Sequence, residues 1–496
     1  MTDDLLGLLP ELCVTATLLV VLLAGAQRAP KATRPSVLVG LSVVGLVVAL
    51  AAMGRESHES VSVFSGMIAL DGLALFFRGL FLVVAIAGVV VGGLSREVDR
   101  QRLGEYLVML LSITLGMMLL GAAQHLLMVY LALELVSLPS YVLAGFRRGN
   151  RESSEAALKY VVYGGVASGL MLYGFSLIYG LTGRLELGEV AKALGAIGSW
   201  NMATRVLLVL AGALSFSGFA YKMAAVPFHM WCPDVYQGAP TPFVAFLSVA
   251  PKAAGVAALI RFIVIGFGVH GVTDTAVAEQ LPWGLVLGLV AVATITLGTL
   301  VAIPQDNLKR LLAYSSIAHA GYVLMGVAVA SEPAMRAVMF YMAVYFVMNF
   351  GAFFAVMVVR DATGREAIGA YRGLGGTSPV LAAGFAILLF SLTGLPPFAG
   401  FIAKYYLLAA LLETKSSLFY AVALAAVLNS AISLYFYARV VKAMYLEKPE
   451  EGERPVPRLG PASATVLAAF VAPTLVLGVW WTPLVETIRK MSTILR

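Results

Sequence analysis

Five side chains able to hold or release a proton stand inside long apolar runs of this 496-residue sequence. Glu134 lies in YLALELVSLPSYVL, Lys222 in FSGFAYKMAAVPFHMW, Lys252 in LSVAPKAAGVAALI, His319 in AYSSIAHAGYVLMG and Lys404 in SLTGLPPFAGFIAKYYLL. An ionised side chain at the centre of a bilayer costs roughly 2.5–3.5 kcal/mol on insertion scales, so such residues face cavities, partners or relays. With Arg78, the three lysines are the basic residues placed within spans, and four unpaired cations would cost about 10 kcal/mol. That is comparable to the whole stability of an ordinary domain. The cations must therefore be paired, hydrated or able to become neutral, and lysine, histidine and carboxylate are the types that exchange protons. The alternative for each is a fixed ion pair or a hydrogen-bonded packing contact that only holds helices together.

The elements that carry these residues follow from composition. The chain is 60% hydrophobic and 12% charged, with a mean hydropathy of +0.90; soluble domains carry about a quarter charged residues. Apolar runs close to the ~20 residues that cross a bilayer recur along it. Alternating strands of outer-membrane-barrel type are absent, so the expected fold class is an all-α membrane protein. Fourteen spans are read near 5–26, 35–53, 68–94, 105–121, 124–146, 156–182, 204–231, 241–267, 282–302, 310–330, 335–359, 379–412, 416–446 and 462–484. The stretch 184–200 is too polar to span and is expected at the interface. The net charge of +7 sets topology rather than nucleic-acid binding. Arg and Lys favour the loops after odd-numbered spans by about two to one, which places those loops in the cytoplasm and both termini in the periplasm. Cys13 and Cys232 have no partner spacing for a metal or disulfide framework. The first apolar run lacks a basic leader and a small-residue cleavage site, and is expected to be retained.

Two spans carry their own interruptions. Pro227 follows Lys222 by five residues, and Pro396 and Pro397 precede Lys404; proline removes a backbone donor and breaks a helix. PFHMWCPD sets Asp234 six residues past Phe228, and PFAGFIAK sets Lys404 six past Phe398. The two breaks fall in the fourth members of two five-helix groups, spans 4–8 and 9–13, whose starting sides are opposite. Inverted repeats with paired broken helices point to a transport site near the midplane. The expected organisation is a three-helix segment 1–104, five-helix units 105–267 and 282–446, and a closing loop and helix 447–496. Lys222, Lys252, His319 and Lys404 would then form a path between the faces, with His229 bordering an inlet. Asp71 and Arg78, two turns apart, are expected to be structural, and Glu11 to sit near the outer surface. His58, His125 and His270 read as loop residues.

PFHMWCPDVYQGAPTPFVAFLSVAPK resembles the signature of complex I antiporter-like subunits and multi-subunit cation/proton antiporters, as do IALDGLALFF, ELVSLPSYVL and SSIAHAGY. ESSEAALKYVVYGGVASGLMLYGFSLIYGLTG is especially similar to the N subunit. The chain ends soon after span 14, without the long lateral helix of the L-type subunit, and Lys404 stands where the M-type carries Glu. The resemblance implies the proton-translocating membrane subunit of NADH:quinone oxidoreductase in a bacterial inner membrane. It implies Glu134 and Lys222 as a coupled pair, Lys252 as central relay and Lys404 as exit-side carrier. No cofactor is expected in this chain, since it has no flavin, haem or iron–sulfur motif; FMN, iron–sulfur clusters and quinone would belong to partner subunits, beside other antiporter-like and small membrane subunits. The competing readings are a subunit of a Na⁺/H⁺ antiporter or membrane-bound hydrogenase, a static membrane scaffold, and a quinone-binding redox subunit.

Overall fold

The computed structural model describes residues 7–26, 35–55, 61–197, 200–268, 281–449, 456 and 458–492. His58 and His270, and the loop cations Arg28, Lys31, Arg34 and Arg454, lie outside them. Among the described residues thirteen helices are long and apolar enough to cross a membrane. The twelfth expected span is a pair of shorter helices, Pro379–Thr393 (12a) and Ala399–Glu413 (12b).

Helix starts follow capping chemistry, in which a short polar side chain accepts from an otherwise unpaired N–H of the first turn. Asn150 caps span 6 (Arg151–Thr182), Asn201 caps the seventh span and Asn307 caps span 10 (Leu308–Val329). Asp71 caps span 3 (Gly72–Leu94) through Ala74 N. That cap corrects the expected start near 68, because Ile68–Leu70 pairs instead with Val61–Val63 as an antiparallel hairpin. The stretch after span 6 forms the short helix Leu187–Gly195, with Leu187, Val190 and Leu194 buried.

The proline-marked spans are interrupted. Span 7 runs as Met202–Met223 (7a) and Trp231–Gly238 (7b). The first half ends on Ala224 in the left-handed region, φ 58°, and Pro227 follows. Helix 12a ends on left-handed Gly394, φ 88°, and Pro396 and Pro397 follow. A left-handed cap closes the last turn, and a following proline prevents its resumption. Two continuous spans expected from the sequence also divide. Span 8 is Thr241–Leu247 (8a) and Ala250–Val264 (8b), with Pro251 in the first turn of 8b, where its missing N–H costs no helical bond. The last apolar stretch is Pro461–Val479, span 14, followed by a separate helix Thr482–Met491.

Burial sorts the spans into centre and rim. The most apolar windows of spans 8, 10 and 11 (Glu332–Thr363) are 100%, 94% and 89% buried, whereas those of span 1 (Leu9–Ala26), span 2 (Pro35–Ala52) and span 14 are below a third. Span 10 packs against 7b, 8b, span 11 and 12b, so it stands between the two interrupted regions. Span 11 contains a π turn, Phe346–Phe350, from which Asn349 Nδ2 donates to Ser248 Oγ at 2.7 Å, at the break in span 8. Single π turns inside helices recur at functional sites.

Candidate functional site

The three lysines expected inside spans, Lys222, Lys252 and Lys404, all find neutral oxygen acceptors; a fourth buried lysine, Lys309, pairs with Glu366. Lys222, on the last turn of 7a, donates to Ser137 Oγ at 3.0 Å, and Ser137 donates to the Leu133 carbonyl one turn back in span 5 (Leu126–Ala144). Glu134 lies on that turn, but among the described residues no ion pair joins it to Lys222 within 4 Å. Glu134 Oε1 is buried without a hydrogen-bond partner among the described residues. The side chain that holds the Lys222 head is Ser137, three residues on from Glu134, and not the carboxylate that the resemblance implies as its partner.

Lys252 stands on the first turn of 8b. It donates to Ser316 Oγ at 2.7 Å and to the Ser316 carbonyl at 3.1 Å, both in span 10. Tyr345, the residue before the π turn, donates to the same Ser316 hydroxyl at 2.8 Å. One turn farther along span 10, His319 Nδ1 is 2.6 Å from the Tyr341 hydroxyl. The Leu392 carbonyl, at the end of 12a, accepts from Lys404 at 3.2 Å. Lys404 donates as well to the Thr393 carbonyl at 2.8 Å and Ser430 Oγ at 2.9 Å, and lies 4.6 Å from the centre of the Tyr322 ring. The break in span 12 supplies these acceptors, since the last carbonyls of a helix have no intrahelical partner.

A cavity of about 400 Å³ is lined by Lys404, Tyr322, Thr393, Gly394, Phe401 and Ser430, and exposed Tyr405 and Val427 stand at its rim between 12b and span 13 (Ser417–Leu446). Between Lys222 and Lys252 the contact is through packing: a Cβ on Gly255, one turn beyond Lys252, would sit 3.2 Å from Lys222 Cβ. No hydrogen bond bridges those two lysines among the described residues. His229 is in the loop between 7a and 7b, buried, with Nδ1 lacking a hydrogen-bond partner among the described residues. Asp234 does not mirror Lys404: it is bonded by Lys159 at 2.6 Å and by Arg310. His125 precedes span 5 and bridges through its backbone to Glu186.

The remaining buried charges pair off. Arg78 Nε donates to Glu11 Oε1 at 2.7 Å, and Glu11, on the first turn of span 1, is 4% exposed, held by this pair rather than by water. Arg261, absent from the sequence count of in-span cations, is fully buried in 8b; it donates to both oxygens of Asp71, at 2.8 and 2.6 Å, and to the Gly121 carbonyl at 2.8 Å. Arg261 lies within the span read at 241–267, close to its C-terminal end. Asp71 and Arg78, read from the sequence as structural, each bond a partner on another helix rather than each other.

The architecture has close parallels among known proteins. The family profile described as "NADH:quinone oxidoreductase/Mrp antiporter, TM" matches residues 123–433. The chain is 47% identical over 488 residues to NADH-quinone oxidoreductase subunit N of Anaeromyxobacter sp. strain Fw109-5, covering 96% of this chain and 94% of that one. This chain belongs to that family. Respiratory complex I from Thermus thermophilus, solved with bound aureothin, contains a chain of 32% identity that superposes with a TM-score of 0.77 and covers 96% of this chain and 99% of its own length. A chain of the Mrp complex from Dietzia sp. DQ12-45-1b superposes at 0.83 but with 22% identity, over 100% of this chain and 98% of that one, and shares the fold alone. Family membership makes the multi-pass membrane architecture common ground; the roles of individual side chains rest on the geometry above.

Proposed function

We propose that this chain is the N subunit of a bacterial NADH:quinone oxidoreductase and carries protons from the cytoplasm to the periplasm. The observation that carries the reading is the row Lys222, Lys252, His319 and Lys404, buried in the bundle and bonded to hydroxyl, carbonyl and phenol oxygens, with no carboxylate within 4 Å of the lysines among the described residues. A fixed structural lysine would be expected to hold an acid; one that alternates between ammonium and amine is better served by neutral acceptors. Glu134 biases Lys222 from one turn away, Lys252 and His319 hand the proton along span 10, and Lys404 delivers it at the break in span 12. The two five-helix units, 105–267 and 282–446, are inverted in this reading, and both termini are periplasmic.

The driving energy comes from partner subunits that hold the flavin, iron–sulfur clusters and quinone. Charge arriving beside Glu134 would change the affinity of Lys222 for its proton and so push it toward Lys252. The 47% relative named subunit N supports complex I over the Mrp-type antiporter, whose likeness is one of fold. The test is proton pumping and electron transfer in reconstituted complex carrying Lys222→Ala. The expected result is an assembled complex that has lost coupled pumping; pumping at the wild-type ratio overturns the reading.

A further inference from the structure

At the opposite end of the bundle from the hairpin Val61–Leu70, a buried charge cluster grips the turn between spans 7 and 8. The Glu97 side chain, in the loop after span 3, is 0% exposed and accepts from the Thr241 N–H at 2.8 Å and from Arg147 Nη1 at 3.1 Å. Arg360, at the end of span 11, approaches it at 3.3 Å. Burial alone would raise the Glu97 carboxyl, but the charges of Lys309 and Arg360 and the Thr241 N–H outweigh it and hold it below the usual carboxylate range. The carbonyls on the other side of the turn are held too. Lys309, at the start of span 10 and itself 0% exposed, donates to Gln237 O at 2.9 Å and Ala239 O at 2.8 Å, and Arg147 donates to Gly238 O at 3.1 Å. Glu366 closes the ring by pairing with Lys309 at 3.3 Å.

The same two elements position the site. Thr241 opens the short helix 8a that leads to Lys252, and Lys309 opens span 10, which brings Ser316 and His319. We infer that Glu97 is a positioning residue that sets the register of Lys252 against Ser316, by anchoring the start of 8a while its charge holds Lys309 and Arg360 of the second helix unit. A surface ion pair would contribute little to such a task. A fully buried carboxylate with several donors is different: removing its charge leaves Lys309 and Arg360 under-compensated beside the short turn between Gly238 and Thr241. The inference rests on the proton-transfer reading of Lys252.

The experiment compares Glu97→Gln and Glu97→Asp in the whole complex reconstituted in vesicles, reading protons moved per electron for each assembled complex. A merely structural role lowers the amount of assembled complex and leaves that ratio alone. The expected result is a ratio reduced roughly tenfold in Glu97→Gln, since sub-ångström misplacement of reacting groups costs rates of that order or more, with Glu97→Asp recovering much of it. An unchanged ratio in Glu97→Gln overturns the inference. Should that variant fail to assemble, Arg360→Gln removes charge from the cluster while leaving the Thr241 bond, and an unchanged ratio there overturns it equally. Lys222→Ala measured alongside separates the cases: loss there with a normal ratio in the Glu97 variants removes the clamp and keeps the proton path.

Discussion

Two sets of buried cations in this molecule are treated in opposite ways. Arg78 and Arg261 each meet a carboxylate, Glu11 and Asp71, in contacts between distant parts of the chain. Lys222, Lys252 and Lys404 meet serine hydroxyls and backbone carbonyls. Arginine stays protonated under all relevant conditions, so an arginine out of water needs a permanent counter-charge. Lysine can shed its proton when desolvated, and a shell of neutral hydroxyls and carbonyls tolerates both of its states, because a neutral amine still donates two hydrogen bonds and a hydroxyl can turn to donate to its lone pair. The arginines read as fixed braces across spans 1, 3 and 8, and the lysines as sites whose charge can change.

The largest effect that would sharpen this contrast lies in the braces. Asp71→Ala leaves Arg261 buried without its acid, and breaking a buried pair from one side costs about 3–5 kcal/mol. The expected outcome is a loss of assembled complex and a much lower melting temperature of what remains, measured by thermal denaturation of the purified complex. Wild-type stability in Asp71→Ala would mean that the pair is hydrated and braces nothing. The next effect is functional. Lys404→Arg keeps the positive charge but cannot release a proton, so coupled pumping is expected to fall on the order of a hundredfold, the scale of a lost acid–base group. Arg261→Lys, the reverse exchange at a brace, keeps a cation against Asp71 and loses the two-pronged fork, so it is expected to lower stability while sparing the pumping ratio. Equal pumping in Lys404→Arg and wild type would erase the distinction between the two sets.

Much of this was readable before any coordinates, and the misses have physical causes. Span positions followed from apolar run length, and the interruptions of spans 7 and 12 from Pro227, Pro396 and Pro397. The division of span 8 was hidden because its proline sits one residue into the new helix, a position that suits helix starts as well as breaks. Arg261 escaped because a lone cation near a span end reads as a loop residue, and its partner Asp71 lies 190 residues away. Ser137 was within reach: it stands three residues after Glu134, on the same helix face. The Glu97 cluster was not legible, since its members come from loops after spans 3 and 5 and from the ends of spans 10 and 11, and loop charges look alike in sequence.

The smallest effects concern the two breaks themselves. Both first halves end in a left-handed residue, yet one is Gly394 and the other Ala224. A Cβ on Gly394 would sit 2.8 Å from Lys404 Cδ, so the break in span 12 is packed against the stem of its own lysine. Ala224 already carries its methyl, buried, without such a conflict. Gly394→Ala adds a left-handed strain of about 1–3 kcal/mol and pushes the Lys404 head away from the Leu392 and Thr393 carbonyls. Its expected outcome is a modest drop in melting temperature together with a clear loss of pumping. Ala224→Gly relieves the left-handed penalty while giving up a buried methyl, two terms of about 1 kcal/mol that oppose each other, so stability and pumping are both expected to stay near wild type. If Gly394→Ala melts lower but pumps normally, the acceptors at the break in span 12 hold Lys404 without taking part in its proton transfer, and the contrast between braces and carriers fails at the exit side first.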